Sequence, residues 1–492
     1  MKKIFKSVFS IFLFTTALVG CTDALDNEPI GKLTENLVDS ELEAVTLEAL
    51  VNSSYHPLGN TLNGVVPGWR WDKGTVFRND IILQDIAAND MNKKWNPDGD
   101  QPWIDKVGSF TFTPVNQAFN GIWVYDYIGI NRLNMAIGFL TDGGTVANSG
   151  MSEARKNQLL SEAYFLKAYY YFDLVNNFGD VPLLSKSPES FQEAIETSVR
   201  STKSEVLAQI TSSLETAKSL ASNAKYPDAA QPWRASKGAI IALQAKVALF
   251  AKDWSTVLSS ITELDGLGSY SLNAEYFDSF DANLKFTENE VIFAYDHRTG
   301  ETPNNTNGLR DLVGWGFFAP TDDFVAAFEP NDPRLLYTTT ADPNNKASYK
   351  IIGSVAGNPD YGNKIYIRYA DVLLWKAEAM NEMGDYSGAV DIINQIRERA
   401  RTSSTADASV IPAGTLADRP SSTNASQIKG WLMQERRVEL GFESQRFNDL
   451  KRWGTASAEL SSKGFQSHHN LFPIPQLEID KSGGKITQNA GY

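Results

Sequence analysis

The chain has 492 residues, 45 Lys and Arg against 59 Asp and Glu, and a net charge of −14 at pH 7. An acidic balance of that size repels phosphate backbones and argues against nucleic acid as a partner. One cysteine rules out an internal disulfide framework, and the four histidines (His56, His297, His468, His469) form no His-Glu-x-x-His pair. Walker A, dinucleotide-binding glycine and Gly-x-Ser-x-Gly patterns are absent as well. A carboxylate glycosidase, which has no short signature, stays open.

In chain order, the first element is a leader. Met1-Lys2-Lys3-Ile4-Phe5-Lys6 is basic, and Val8 to Val19 is apolar apart from Ser10, Thr15 and Thr16. Gly20 then precedes Cys21. This is a secretory signal with a small-residue cleavage site, too short to span a bilayer, which takes about 20 apolar residues. A cysteine at the cut resembles the bacterial lipobox, in which the thiol is joined to diacylglycerol. The other reading is an ordinary signal peptide that happens to hold a cysteine. Removing residues 1–20 takes away three lysines and no acid, leaving −17. Residues 21–33, with Asp23, Asp26, Glu28 and Pro29, read as a flexible tether.

Helical periodicity dominates the body. It predicts helices over 34–54, near 76–88, and over 115–140, 152–178, 202–223, 235–251, 254–265, 366–383, 386–401 and 426–442. Helix 152–178 is the clearest. Leu159, Ala163, Leu166, Tyr170 and Leu174 form one stripe, and Phe165, Ala168, Tyr169 and Phe172 a second, so it is buried against two neighbours. Gly179-Asp180-Val181-Pro182 stops it. A strand is expected at 290–295. The long polar stretches 298–308 and 402–427 read as functional or mobile loops. Three parts follow, 34–230, 231–300 and 301–492, within one body.

Ala245-Lys246-Val247-Ala248-Leu249-Phe250-Ala251-Lys252-Asp253-Trp254 aligns with Ala377-Glu378-Ala379-Met380-Asn381-Glu382-Met383-Gly384-Asp385-Tyr386. A helix, a short turn ending in Asp and an aromatic, and a second helix make the tetratricopeptide pattern. The alternative is two unrelated helical hairpins.

Further on, Glu435-Arg436-Arg437 to Arg452 is dense in both signs. Glu439, Glu443 and Arg446 share one face if the helix continues. Paired carboxylates could serve as acid and base. An ion network fixing the C-terminal segment to the helical body is the favoured reading. Asn96-Pro97-Asp98-Gly99-Asp100 could offer oxygens to Ca²⁺, although its spacing departs from an EF-hand and suits an Asx-turn. No other cofactor is expected.

Several segments together resemble the SusD/RagB family. They are Ser161 to Val175 with Phe178-Gly179-Asp180-Val181-Pro182-Leu183, Ile367 to Ala379, Glu435 to Trp453, and Leu471-Phe472-Pro473-Ile474-Pro475 to Gln488-Asn489-Ala490-Gly491-Tyr492. Lys167 stands where the family often has arginine. The resemblance implies a mainly α, SusD-like fold in which tetratricopeptide-like hairpins carry an irregular, loop-rich ligand-binding half. It implies a non-catalytic lipoprotein, held in the outer membrane through Cys21 and facing the cell exterior. Such a protein captures oligosaccharides and passes them to a SusC-like TonB-dependent transporter. A RagB-type peptide binder and a lipid-anchored glycoside hydrolase are the alternatives. Sugar capture needs flat aromatic faces with polar groups around them. Trp69, Trp71, Trp95, Trp103 and Trp315 lie among Gly, Asn, Asp and Pro and are the expected ligand-binding residues. Trp375, Trp431 and Trp453 lie in helical segments and are expected in the core.

Overall fold

The computed structural model describes residues 43–492 apart from 60, 67, 71–76, 95–98, 298–307, 310–312, 314–315, 318, 341–347 and 357–361. The leader, Cys21 and the tether therefore lie outside the described residues. No helix among the described residues is long and apolar enough to cross a membrane.

The longer helices, numbered in chain order, are α1 (Ala44–Ser53), α2 (Gln117–Thr141), α3 (Glu153–Phe178), α4 (Lys203–Leu220) and α5 (Lys237–Ala251). They continue with α6 (Trp254–Gly266), α7 (Tyr369–Glu382), α8 (Tyr386–Thr402), α9 (Ala425–Glu439) and α10 (Arg446–Trp453). From α2 to α8 each packs on the next, and α9 closes on α7 and α8. The fold is mainly α, as its periodicity predicts.

Helix α3 shows how the sequence produces this. Ser152 caps it, accepting from the Arg155 N–H at 3.2 Å. Both apolar stripes are covered, one residue of them (Tyr169) only in part. Phe172 meets Phe250 of α5 edge-on at 5.0 Å, and Phe165 meets Phe293 at 4.8 Å. The close approach to α2 is made by Gly129, where a Cβ would lie 2.3 Å from the Tyr170 ring. The Tyr170 hydroxyl then donates to the Ser54 carbonyl at 2.6 Å. Gly179 ends α3 with φ 75, a conformation that suits glycine.

The aligned turns have the same geometry. Lys252 (φ 58) and Gly384 (φ 89) turn the chain left-handed. The Asp253 N–H then reaches the Ala248 carbonyl at 2.9 Å, and the Asp385 N–H reaches that of Met380 at 2.8 Å. These are the six-to-one bonds of a Schellman motif. Each aspartate next caps the following helix, accepting from Thr256 N–H at 3.1 Å and Gly388 N–H at 3.0 Å. The two hairpins α5–α6 and α7–α8 stack through α6 and α7.

Strand β1 (Val291–Tyr295) pairs antiparallel with β2 (Lys364–Arg368), with register shifts on either side of Phe293. Three expectations change. Near 76–88 the backbone forms a five-residue π turn, Ile82–Ile86, instead of a full helix. Helix α9 stops at Glu439, and Phe442 (φ 63) and Ser444 (φ 60) swing the chain away. Gly441 fits there because a Cβ would come 2.5 Å from the Phe324 ring. The stretch 403–424 is irregular, yet it is pinned by Arg397 to the Ala417 carbonyl (3.0 Å) and Arg401 to that of Leu416 (3.1 Å).

Candidate functional site

Two very short ladders gather the loops. An isolated bridge between Thr61 and Phe77 closes the base of the segment that carries Trp69 and Trp71. Met91–Asn92 pairs antiparallel with Ala319–Pro320, so the segments 93–103 and 308–318 leave from the same end of one ladder. Thr321 reinforces it, its hydroxyl donating to the Asn89 carbonyl at 2.7 Å. Arg437 of α9 clamps it from below through Asp90 and Asp323, each at 2.6 Å. Lys94 places its Nζ 4.4 Å from the centre of the Phe317 ring. Gly308 sits against the first bridge, where a Cβ would lie 3.0 Å from Phe77 Cβ. The bases of the three loops are therefore linked, the first to the third at Gly308 and the second to the third through the ladder.

The expected tryptophans divide. Trp71, Trp95 and Trp315 lie outside the described residues, and so do Asn96, Pro97 and Asp98 of the suggested Ca²⁺ turn. No metal-holding cluster occurs among the described residues. Trp69 is half-buried against the Leu62, Val65 and Tyr125 cluster. Trp103 corrects the expectation. It is 8% exposed within the main core, and its indole N–H donates to Gln101 at 2.7 Å. Its position on the short helix Pro102–Gly108, which buries Ile104 and Val107 beside it, makes it an anchor for the loop. Trp375 is fully buried, Trp431 is partly buried against the α7–α9 cluster, and Trp453 donates to Glu378 at 2.9 Å.

The dense C-terminal charges form a buried network. Arg368 contacts Glu290, Glu439 and Glu443, each at 2.7 Å. Arg334 joins Asp332 (2.8 Å), Glu435 (2.6 Å) and Glu439 (3.0 Å). Arg399 adds bonds to Glu290 and Glu439, and Lys350 bonds Glu443 at 2.6 Å. Burial pushes the Glu439 carboxyl up, but Arg399, Arg368 and Arg334 outweigh burial and hold it well below the usual carboxylate range. Fully buried and bonded to three arginines, this carboxylate sits as the partner in an ion network. Glu439 and Glu443 do meet, through Arg368 and not along a continuing helix. Arg446 stands apart, facing Glu459 at 3.9 Å. The sequence reading missed Glu290, Arg334 and Arg399. Arg399 alone carried a signal, a charge among the buried Ile392, Ile393 and Ile396 of α8.

A cleft of about 890 Å³, solvent included, lies between α3, the π turn and β2. Its charged walls are already engaged: Asp80 with Lys364 and Arg78, and Glu443 with Lys350. Asn177 Oδ1 and Asn448 Oδ1 in its wall have no donor.

Stacked helical hairpins joined to short ladders at the bases of long loops define a helical scaffold protein. The chain belongs to the SusD family. Residues 353–492 match the SusD family, and residues 39–249 match a family described as starch-binding and associating with the outer membrane. SusD-like protein P2 of Formosa agariphila is 26% identical over 100% of both chains. The crystal structure of a SusD superfamily protein from Bacteroides vulgatus superposes with a TM-score of 0.72 at 23% identity, covering 91% of this chain and 99% of that one. Surface glycan-binding protein A from Bacteroides thetaiotaomicron, in complex with laminarihexaose, gives 0.67 at 19% identity, covering 91% and 100%.

Proposed function

We propose that this chain is a cell-surface glycan-binding lipoprotein, anchored through Cys21, that captures oligosaccharides and delivers them to a SusC-like TonB-dependent transporter. One observation carries the reading. The three loops rich in Trp, Asn, Asp and Gly are tied together at their bases, and Lys94, next to Trp95, touches Phe317, two residues past Trp315. Indole faces ringed by amides and carboxylates suit the C–H faces and hydroxyls of pyranoses. The laminarihexaose complex of a protein with this fold supports the same ligand class. The network around Glu439 supports binding without chemistry.

Calorimetry of the chain from residue 22 against a panel of glycans and peptides tests this. Trp95→Ala and Trp315→Ala should each weaken glycan binding about tenfold or more, roughly 1.4 kcal/mol. Trp103→Ala should lower stability by about 3–5 kcal/mol. Peptide binding with no glycan response would overturn the sugar ligand, and reducing-end release over hours would overturn a purely binding role. In cells, Cys21→Ala should release or mislocalise the protein while leaving glycan binding intact.

A further inference from the structure

A second aromatic site lies away from the loops. Tyr226, Trp233, Tyr270 and Phe286 line a pocket beside the start of α5 and the edge of β1. None of its walls comes from segments 61–77, 91–103 or 308–320.

The floor is rigid. Trp233 and Tyr270 pack on the main core. Tyr55 meets Trp233 edge-on at 5.1 Å, and the Arg234 guanidinium lies 4.9 Å from the indole centre. Tyr270 shares a 2.8 Å hydrogen bond with Ser236, the N-cap of α5, and lies so close to α5 that a Cβ on Gly238 would come 2.3 Å from its ring.

The walls differ. Tyr226 and Phe286 belong to none of the core clusters, touch each other edge-on at 6.2 Å and are half-exposed. Phe286 holds φ at 61, a left-handed conformation that an aromatic residue rarely adopts. Backbone outliers of this kind concentrate at ligand sites. Core packing does not account for presenting this ring.

We propose that this pocket is a second carbohydrate site that takes a single pyranose or the end of a chain. The inference rests on the reading of the chain as a glycan binder. The Lys225 ammonium lies 5.3 Å from the Tyr226 ring centre and 5.4 Å from that of Tyr270. A cationic ligand would meet this charge, whereas a hydroxylated ring would find donors and acceptors. Asp281 and Asn363 stand at the same rim. Flat faces below and mixed polar groups around them match a sugar's C–H face and hydroxyl edge.

The test uses the full chain in detergent micelles and saturation-transfer NMR. The probes are methyl β-D-glucopyranoside, methyl β-D-galactopyranoside, N-acetylglucosamine and a neutral tripeptide. At least one pyranoside should bind, and binding should survive the double substitution Trp95→Ala, Trp315→Ala. It should fall tenfold or more in Tyr226→Ala and in Phe286→Gly. Glycine suits the left-handed backbone, so Phe286→Gly stays folded and its loss of binding reports the missing ring. No pyranoside signal, equal binding in both pocket variants, or binding of the tripeptide alone overturns the site. Loss in the double tryptophan variant alone overturns the second site and leaves the proposed function standing. An oligosaccharide indifferent to that double variant overturns the loop tryptophans as the main site but not this pocket, and peptide binding with no glycan response overturns the proposed function.

Discussion

Arg368 illustrates what one side chain can tie together. It ends β2 and precedes α7, and it bonds carboxylates from the start of β1, the end of α9 and the turn beyond it. Removing one partner from such a set leaves buried charge uncompensated, which costs about 3–5 kcal/mol. Arg368→Ala should therefore lower urea stability by about that amount. Arg368→Lys should recover little, because the ammonium cannot reproduce the planar fork. The density of charge near Glu439 was legible in the sequence. Its partners were not, because Glu290 and Arg334 lie about 150 and 105 residues away, and spacing along one helix says nothing about such pairs. Lys451 carries a pH dependence. Burial, aided by Lys203, pushes its ammonium down to about 7. The unfolded chain keeps that proton to about pH 10. Between these values the unfolded state binds more protons, so stability should rise with pH from about 7 to 10. Melting curves across that window should flatten in Lys451→Met.

At the scale of elements, helices were read well because burial against neighbours imposes a 3.6-residue period, and the paired turns because Asp and an aromatic sit at matching places. Asp253→Ala and Asp385→Ala should each cost about 1 kcal/mol through the lost cap. Gly129→Ala should cost about 1–3 kcal/mol by forcing α2 from the Tyr170 ring. All three are measurable by chemical denaturation. The elements that build the candidate site were not legible. A two-residue ladder such as Met91–Asn92 with Ala319–Pro320 has no alternation to detect, and its partners lie more than 220 residues apart. The tryptophan loops could be chosen by composition. Composition could not separate Trp103, buried on a short helix, from its neighbours.

At the scale of the molecule, residues 471–492 are laid along the end of α3. The Phe472 N–H donates to the Asn177 carbonyl at 2.7 Å, and the Asn489 amide donates to those of Phe178 (3.0 Å) and Phe472 (2.8 Å). Arg200 reaches the Thr487 carbonyl at 2.9 Å, and the Tyr492 hydroxyl donates to that of Leu471 at 2.8 Å. Leu471 fills the space beside Gly179, where a Cβ would come within 2.8 Å. A chain cut after residue 470 should unfold less cooperatively and expose α3 to hydrogen exchange. The Asn489–Phe178 contact joins residues 311 apart, and contacts of such separation form slowly because the loop must close first. The end of α3 thus gains this cover only once residues 471–492 are in place. For the lipoprotein proposed above, that delay has a use: a polypeptide that cannot complete its core early remains threadable while it is being exported.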